Sequence, residues 1–516
     1  MVHSHYAQPP TGAPAPAPFP RLHAGCGLTM RILIVTSAAY TGADPDPAGA
    51  FPAPLARALQ SLGHQVAVLA PAYRTALAAA RPLGLRAIAQ AQIGGQRVQL
   101  HETRLPRSRN RLWLLDCPAL FDRAGGACGD APGLPWPDDG ERFMLLARAA
   151  ELLAGDAFGL RWRPSVVQAH DWPCAPVMLL LHAKQPRPAL VFSIHATAET
   201  GLLADEDCAR LQVPAGYGNP EAPEHEGGCS FFEAGIRFAD RITLPAFPGP
   251  ASASGDDPLG TMLHARSQGL RIIVPAIDTR AWNPATDAAL AALYSPTRLR
   301  RKQLNKLALQ AECGLETGGE GPLIAVRGPF GEGALADALA RVLKDPVCGG
   351  IQLLLLDEGD TSLPAQFAAL VGGVAARCAH RSRPDETLRH RILAGADVLL
   401  LPTPGAAATI EALRALRYAT IPALYPAPGL EDIIVDVTAD TLGAGTATGF
   451  RIAPGAAGEL PASIRRICRF YKVPQTWRHL QIAAMRTEIG WHAHARRQET
   501  VCTEALAERA ERDPGD

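Results

Sequence analysis

Lysine is scarce in this chain, and its scarcity limits the chemistry that the side chains can carry out. Lysine and arginine together number 50, but only five of these residues are lysines: Lys184, Lys302, Lys306, Lys344 and Lys472. The other basic residues are all arginine, which does not replace lysine at every kind of site. Lysine-dependent chemistry therefore has few candidate positions.

The acidic, histidine and cysteine residues lack the spacing of a metal site. The 11 cysteines include no CxxC pair, which is typical of free thiols in a reducing compartment. Asp138-Asp139 and Asp256-Asp257 are interpreted as loop acids. His492 and His494 stand two apart on a predicted helix and so do not share a face. We predict no metal site.

Size and charge exclude several classes of protein. With 516 residues, 47% of them hydrophobic, the chain is long enough for two or three domains with a sizeable core. The 50 basic residues are balanced by 50 acidic ones. A dedicated nucleic-acid-binding protein usually carries a basic surplus, so we expect no nucleic-acid partner.

The termini carry no targeting signal that we recognise. Residues 1–29 are rich in proline and alanine and lack the charged and apolar regions of a signal peptide. We interpret them as a disordered extension upstream of a start at Met30. Since no apolar run reaches the length of a transmembrane helix, we expect no membrane partner and a cytoplasmic location.

The elements that would position a site begin with a βαβ unit. Arg31–Ser37 is a short apolar, β-branched run, typical of a buried parallel strand. A helical stretch, Pro52–Leu62, ends at Gly63, and a second strand follows at Gln65–Ala70. This order predicts the start of a doubly wound sheet.

Two series of such elements predict an α/β fold of two Rossmann-like domains. The further strand candidates are Ser165–Ala169, Ala189–Ile194, Arg241–Leu244 and Leu270–Val274, then Pro322–Val326, Ile351–Leu356, Ala396–Leu401 and Thr420–Leu424. A break near residues 272–300 separates the series. We predict domains at 30–271 and 272–480, with a C-terminal helix and tail at 481–516 packing back on the body.

Several segments occur together in an informative order. The most specific is Ile277–Asp287, which reads ID-x-x-x-WNP-x-TD. The others are Gly49–Pro52, Ala169–Trp172, Phe192–His195, Ala234–Arg241, Asn305-Lys306 and Ala412–Tyr418. From about Met30 to about Trp491 the chain thereby resembles bacterial glycogen synthases and plant starch synthases. These retaining glycosyltransferases move glucose from ADP-glucose to the non-reducing end of an α-1,4-glucan.

The resemblance implies a fold, partners and site residues. The fold is GT-B, two Rossmann-like domains facing a cleft, which needs no metal and no other cofactor. The expected partners are α-1,4-glucan, ADP-glucose and an enzyme of glycogen metabolism. Asp171 and His195 match catalytic positions beside acceptor and donor sugar, and His170 lies in the same segment. Arg327 matches the arginine that holds the diphosphate.

The donor-binding positions depart from the family pattern. The K-T-G-G loop falls on Tyr40, Thr41, Gly42 and Ala43, so the lysine has become tyrosine. Five residues after Arg327 stands Glu332 instead of lysine.

The third departure is Ala406, which stands where a glutamate would hold the donor sugar. Arg327 and Glu332 together carry no net charge at a diphosphate where the family supplies three positive charges. We expect transfer from ADP-glucose to be impaired or lost.

Alternative interpretations remain open at this stage. The protein is a transferase with another nucleotide-sugar donor, or a non-catalytic protein that binds glucan or a synthase. Asp171 and His195 either face substrate or satisfy buried hydrogen bonds at strand ends. Arg327 either holds a ligand or forms a salt bridge with Glu332. Trp282, Asn283 and Pro284 are interpreted as packing and turn residues, and Trp172 as a core residue.

Overall fold

A computed structural model of the chain describes most of its residues. It covers 29–38, 52–124, 129, 136–195, 201–214, 228–246, 258–330, 334–357, 363–425, 428–453 and 459–512. The predicted extension lies outside the described residues except for Thr29. In the ranges that are covered, we find no helix with the length and apolarity needed to span a membrane.

Nine strands form a sheet in the order β11-β10-β7-β6-β1-β2-β5-β4-β3. The strands in this part of the chain are β1 (Arg31–Val35), β2 (Gln65–Pro71), β3 (Arg86–Ile93), β4 (Gln96–Arg104), β5 (Arg111–Asp116), β6 (Val166–His170), β7 (Ala189–Ser193), β8 (Leu202–Ala204), β9 (Gly228–Ser230), β10 (Arg241–Pro245) and β11 (Leu270–Ile273). Strand β1 pairs in parallel with β2 and β6, while β3, β4 and β5 form an antiparallel meander at one edge.

Helices follow the parallel strands, as the βαβ pattern requires. Those in the first half of the chain are α1 (Pro52–Ser61), α2 (Arg74–Ala80), α3 (Pro118–Phe121), α4 (Asp139–Ala154), α5 (Asp171–Cys174), α6 (Pro176–His182), α7 (Asp205–Arg210), α8 (Phe231–Phe238) and α9 (Pro258–Ala265). Helix α1 ends before Gly63, whose φ of 98° is the left-handed conformation that favours glycine after a helix.

A second sheet has six parallel strands in the order β14-β13-β12-β15-β16-β17. Its strands are β12 (Leu323–Arg327), β13 (Gln352–Asp357), β14 (Cys378–Ser382), β15 (Val398–Leu401), β16 (Ile421–Leu424) and β17 (Phe450–Arg451). This is the strand order of a Rossmann sheet, in which ligands bind where the order reverses. Here the reversal lies between β12 and β15, with Ile324 opposite Val398.

The remaining helices cover the second sheet and the C-terminus. They are α10 (Lys302–Cys313), α11 (Ala334–Lys344), α12 (Ala365–Gly373), α13 (Glu386–Gly395), α14 (Ala406–Arg417), α15 (Ala439–Gly443), α16 (Glu459–Tyr471), α17 (Pro474–Arg486) and α18 (Trp491–Arg512). The chain divides into two compact units, a first unit of residues 1–242 with 499–516 and a second unit of residues 243–498.

The end of α18 packs within the first unit, as expected of a C-terminal helix that returns to the body. Glu499 lies 2.9 Å from Nε2 of the buried His64, and Arg241 lies 3.3 Å from Glu504. Further along the helix, Nη1 of Arg509 donates to the carbonyl of Arg187. These contacts attach the final turns to β10 and to the strand-connecting loops.

The most family-specific segment forms a buried cluster in the second unit. Oδ2 of Asp287 lies 2.6 Å from Nδ1 of His390 and accepts a 2.5 Å hydrogen bond from the hydroxyl of Tyr418. The ring of Trp282 stacks on His390 with centroids 4.0 Å apart, and the guanidinium of Arg414 lies 4.1 Å above Trp282. The interpretation of Trp282 as a packing residue is confirmed.

The prediction of free thiols is wrong for one pair of cysteines. Cys208 on α7 and Cys229 on β9 form a disulfide with Cα atoms 6.5 Å apart. The antiparallel pairing of β8 and β9 places Leu203 opposite Cys229 and so brings α7 beside β9. Two cysteines separated by 21 residues without a motif give no such signal in the sequence. The other cysteines of the described ranges are buried thiols outside any disulfide.

Candidate active site

Asp171 stands at the carboxyl end of β6, next to the central strand of the first sheet. Its φ is 58°, a left-handed conformation that an aspartate adopts at a cost of about 1 kcal/mol. The side chain is buried at 6% exposure, and Oδ1 accepts a 2.6 Å hydrogen bond from the backbone N–H of His195. Such strained positions are common where a side chain must be held at a functional site.

Two histidines complete this group. Nδ1 of His170 lies 2.8 Å from Nε2 of His195, and the two rings stack with centroids 5.1 Å apart. Burial lowers the pKa of His195, and the carboxylate of Asp171 opposes that effect only in part. The imidazole of His195 is therefore neutral at pH 7, so one ring nitrogen donates and the other accepts.

Apolar packing behind Asp171 fixes the local backbone. Trp172, at 9% exposure, packs edge-on against Phe143 at 5.1 Å, which confirms its place in the core. Gly201 approaches so closely that a Cβ added to it would lie 2.2 Å from the Trp172 ring. The φ of Gly201 is 58°, a left-handed conformation that also favours glycine. A carboxylate and a neutral imidazole held on this rigid support are suited to hydrogen-bonding sugar hydroxyls.

A cavity of about 380 Å³ opens in the second unit at the carboxyl ends of β12, β13 and β15. Arg327 ends β12, Asp357 ends β13 and Leu401 ends β15, and all three line it. Thr403 and the first turn of α14 also line the cavity. Since the strand order reverses between β12 and β15, the cavity is where a Rossmann sheet binds its ligand. We call it the switch-point cavity.

Arg327 is the one basic residue among the described residues that line the switch-point cavity, and Asp357 is the one acidic residue. Nη1 of Arg327 lies 3.4 Å from the carbonyl of Ala407 and 3.9 Å from Oε1 of Glu411 on α14. The carboxylate of Glu411 also accepts a 2.6 Å hydrogen bond from Arg414. One carboxylate thus lies beside the arginine, and a second, that of Asp357, lines the same cavity.

The first turn of α14 supplies backbone donors to the same cavity. Gly405, Ala407 and Ala408 line it, and no side chain caps the helix. The N–H groups of a first helical turn lack intrahelical acceptors and attract anions. Ala406 begins this helix, so a methyl group stands where the resemblance predicts a glutamate.

The structure therefore places the predicted site residues in two groups. His170, Asp171 and His195 come together in the first unit, while Arg327 and Ala406 belong to the second unit. Tyr40, Thr41, Gly42 and Glu332 lie outside the described residues, so their roles and the salt bridge between Arg327 and Glu332 stay predictions.

Two acids of the switch-point region, Asp357 and Glu411, were not among the predicted site residues. Asp357 ends a run of four leucines in β13, and an acid that closes a buried strand marks the carboxyl edge of a parallel sheet. Asp357 was therefore recognisable from the sequence as a candidate site residue. Glu411 carries no comparable signal, because its distance to Arg327 depends on how α14 packs beside β12.

Known proteins resemble the chain over most of its length. The family described as the starch synthase catalytic domain matches residues 32–244. Glycogen synthase 1 of Methylococcus capsulatus is 36% identical over 488 residues, covering 93% of this chain and 97% of the relative. A glycogen synthase of Burkholderia thailandensis is 37% identical over 455 residues, covering 86% of this chain and 85% of the relative.

The chain belongs to the glycogen synthase family.

The fold of this glycogen synthase-family chain agrees with a solved structure. The catalytic domain of starch synthase IV from Arabidopsis thaliana, bound to ADP and acarbose, superposes with a TM-score of 0.70. It is 22% identical, and the match covers 93% of this chain and 100% of that one. The predicted α/β fold of the GT-B class is confirmed.

Proposed function

We propose that this glycogen synthase-family protein binds α-1,4-glucan and transfers glucose from ADP-glucose at a strongly reduced rate. The observation that carries the proposal is the charge of the switch-point cavity. Its one basic residue among the described lining residues, Arg327, has the carboxylates of Asp357 in the same lining and of Glu411 at 3.9 Å. The cavity therefore presents little net positive charge to a diphosphate.

The chemistry makes that charge important. Transfer of glucose from ADP-glucose leaves negative charge on the departing diphosphate, and without a metal only fixed cations and backbone donors can stabilise it. Losing one preorganised donor from such a site typically lowers the rate by roughly 10² to 10³. The backbone donors of α14 remain, and they favour weak diphosphate binding over none.

The first unit supports the glucan-binding part of the proposal. His170, Asp171 and His195 form a compact polar group at a strand end, with Asp171 in a strained conformation. We propose that they hydrogen-bond glucan hydroxyls. Glucan binding in the cytoplasm would bring the protein next to other enzymes of glycogen metabolism, among which a synthase is the partner to test.

The direct test is the release of ADP from ADP-glucose with glycogen as acceptor. We expect turnover within a few-fold of that of an Asp171→Ala variant. The triple variant Tyr40→Lys/Glu332→Lys/Ala406→Glu restores the family residues, and we expect it to release ADP at least ten times faster than the unmodified chain. Glycogen synthase 1 of Methylococcus capsulatus is the positive control. Turnover by the unmodified chain comparable to that control would refute the proposal.

One observation favours a different donor as the second candidate. The switch-point cavity has a volume of about 380 Å³ and contains several apolar lining residues, including Phe330, Leu401 and Pro364. A sugar donor with less charge than ADP-glucose suits that lining better. Thermal stabilisation by a panel of nucleotide sugars tests this candidate. A shift of the melting temperature by one donor and not by ADP-glucose would support it.

A further inference from the structure

A second cavity, of about 520 Å³, lies in the second unit at the opposite end of the same strands. Asp397, directly before β15, lines it, and Glu320 lines it three residues before β12. Strand β15 separates Asp397 from Leu401 in the switch-point cavity, a span of about 13 Å at 3.3 Å per residue. We call this second site the basal cavity, and it shares no lining residue with the first.

The floor of the basal cavity is a buried hydrogen-bonded network around two lysines. Nζ of the buried Lys306 donates to Oδ2 of Asp397 at 2.7 Å, to the hydroxyl of Tyr471 at 2.9 Å and to the carbonyl of Gly321 at 2.8 Å. Lys302, also buried, donates to Oγ1 of Thr420 at 2.8 Å and to main-chain carbonyls. Two lysines thus stand above one carboxylate.

The rim of the basal cavity adds further positive charge. Arg300, Lys472 and Arg478 line it and are exposed, against one acid, Glu320. Lys472 donates to the carbonyl of Val347. Within the ranges that the structure describes, neither Arg300 nor Arg478 has a hydrogen-bond or ion-pair partner. Two guanidinium groups are therefore available to an anion from solution.

An aromatic wall completes the basal cavity. Trp477 packs edge-on against Tyr471 at 5.1 Å and is 6% exposed. Its indole N–H is buried and has no acceptor among the described residues. A buried tryptophan N–H usually has a partner, so this donor is unsatisfied within the packing behind the wall.

We propose that the basal cavity binds a small phosphorylated metabolite. The phosphate lies between Arg300 and Arg478, because guanidinium groups bind phosphate oxygens in bidentate pairs. The body of the metabolite contacts the rings of Tyr471 and Trp477, which line the cavity. The volume falls within the range of about 300 to 1,000 Å³ typical of small-molecule sites. This inference is independent of whether the chain transfers glucose.

The test measures binding of ribose 5-phosphate to the full chain by calorimetry and by tryptophan fluorescence. The variant Arg300→Ala/Arg478→Ala removes both guanidinium groups. The matched control is Arg301→Ala/Arg486→Ala. Arg301 directly follows Arg300, and Arg486 ends the helix that carries Arg478; both are exposed and lie outside the cavity lining. Arg327→Ala tests for binding in the switch-point cavity instead.

We expect the Arg300→Ala/Arg478→Ala variant to bind ribose 5-phosphate at least ten times more weakly, with the two control proteins within two-fold of the unmodified chain. We also expect inorganic phosphate to bind more weakly than the sugar phosphate, since it lacks the body that contacts the aromatic wall. No binding at millimolar ligand, equal weakening in the matched control, or loss of binding in Arg327→Ala would each overturn the proposal. Equal affinity for inorganic phosphate would overturn the assignment of an organic ligand.

Discussion

Nη1 of Arg327 lies 3.9 Å from Oε1 of Glu411, and the same carboxylate oxygen accepts a 2.6 Å hydrogen bond from Arg414. The side chains of Arg327 and Glu411 are mostly buried, at 17% and 13% exposure. Opposite charges attract more strongly where water is excluded. The positive charge of Arg327 is therefore partly neutralised before any ligand arrives.

Removing the charge of Glu411 should strengthen diphosphate binding. We expect Glu411→Gln to bind ADP about five-fold more tightly, a gain of about 1 kcal/mol, because Arg327 then faces the ligand without a carboxylate beside it. Calorimetry with ADP measures the effect. Arg414→Gln breaks the other ion pair of Glu411 and should bind ADP no more tightly than the unmodified chain. A similar gain in both variants would contradict this explanation.

The left-handed backbone of Asp171 predicts that glycine is a more stable replacement at this position than alanine. At a φ of 58°, glycine is less strained than alanine by about 1 kcal/mol. Asp171→Gly should therefore be more stable to urea than Asp171→Ala, although both lose the acceptor for the His195 N–H. At Asp337, an exposed position within α11, the alanine variant should instead be more stable than the glycine variant, because glycine destabilises a helix. Greater stability of the alanine variant at position 171 would argue against the left-handed conformation.

The hydroxyl of Tyr418 should contribute measurably to folding. It donates to the buried carboxylate of Asp287, and hydrogen bonds to charged groups contribute about 1.5 to 3 kcal/mol. We expect Tyr418→Phe to lower the free energy of unfolding by about 2 kcal/mol in urea titrations. Tyr425→Phe, at a partly exposed position, should change it by less than about 0.5 kcal/mol. Equal effects would show that the bond to Asp287 contributes little.

Lys302 should make stability depend on pH. Burial lowers its pKa to about 7, with Asp397 opposing the shift and Lys306 adding to it. Between pH 7 and its ordinary pKa, the unfolded chain binds a proton that the folded chain lacks. The free energy of unfolding should therefore rise with pH by up to about 1.4 kcal/mol per unit from this group.

Lys302→Met isolates that contribution, because it keeps the length of the side chain and removes the titration. Urea unfolding at pH 7.5 and pH 9 should show a smaller rise for the variant than for the unmodified chain. The variant should also be less stable at both values, since the carbonyls of Leu393, Ala394 and Tyr418 lose their donor. The same slope in both proteins would exclude Lys302 as the source.

The disulfide between Cys208 and Cys229 closes a chain segment with a sequence separation of 21 residues. Closing a loop of that size lowers the conformational entropy of the unfolded chain, which raises the free energy of unfolding by about 3 kcal/mol. A reducing agent should therefore lower the stability of the unmodified chain and leave that of Cys208→Ala/Cys229→Ala unchanged. Counting reactive thiols in denaturant should give two more after reduction than before. An unchanged count would exclude the disulfide.

Buried parallel strands were predictable from the sequence, and partly exposed ones were not. Strands β1, β2, β12 and β13 lie within a residue or two of their predicted bounds, because strands covered on both faces are continuous apolar runs. The meander of β3, β4 and β5 was missed. Strand β3, RAIAQAQI, is mostly exposed or half-buried and contains three alanines, so it lacks the apolar, β-branched run of a buried strand.

Some residues of the candidate site were predictable from the sequence, but their arrangement was not. The segment Ala169–Trp172 locates Asp171 on the chain, but its left-handed φ and its bond to His195 depend on how β6 and β7 lie side by side. The neutralisation of Arg327 by Glu411 likewise requires two elements 84 positions apart to pack together. Neither arrangement has a local signal in the sequence.

The cluster of Trp282, Asp287, His390 and Tyr418 also bears on how relatives of this chain are recognised. Its members secure the fold of residues 243–498 through stacking and a shared carboxylate. The signature that makes the chain recognisable thus serves folding, while the positions at which we propose donor contacts, such as Arg327 and Ala406, lie outside this cluster. A relative that has lost the reaction would still keep the residues of this cluster, because its fold depends on them.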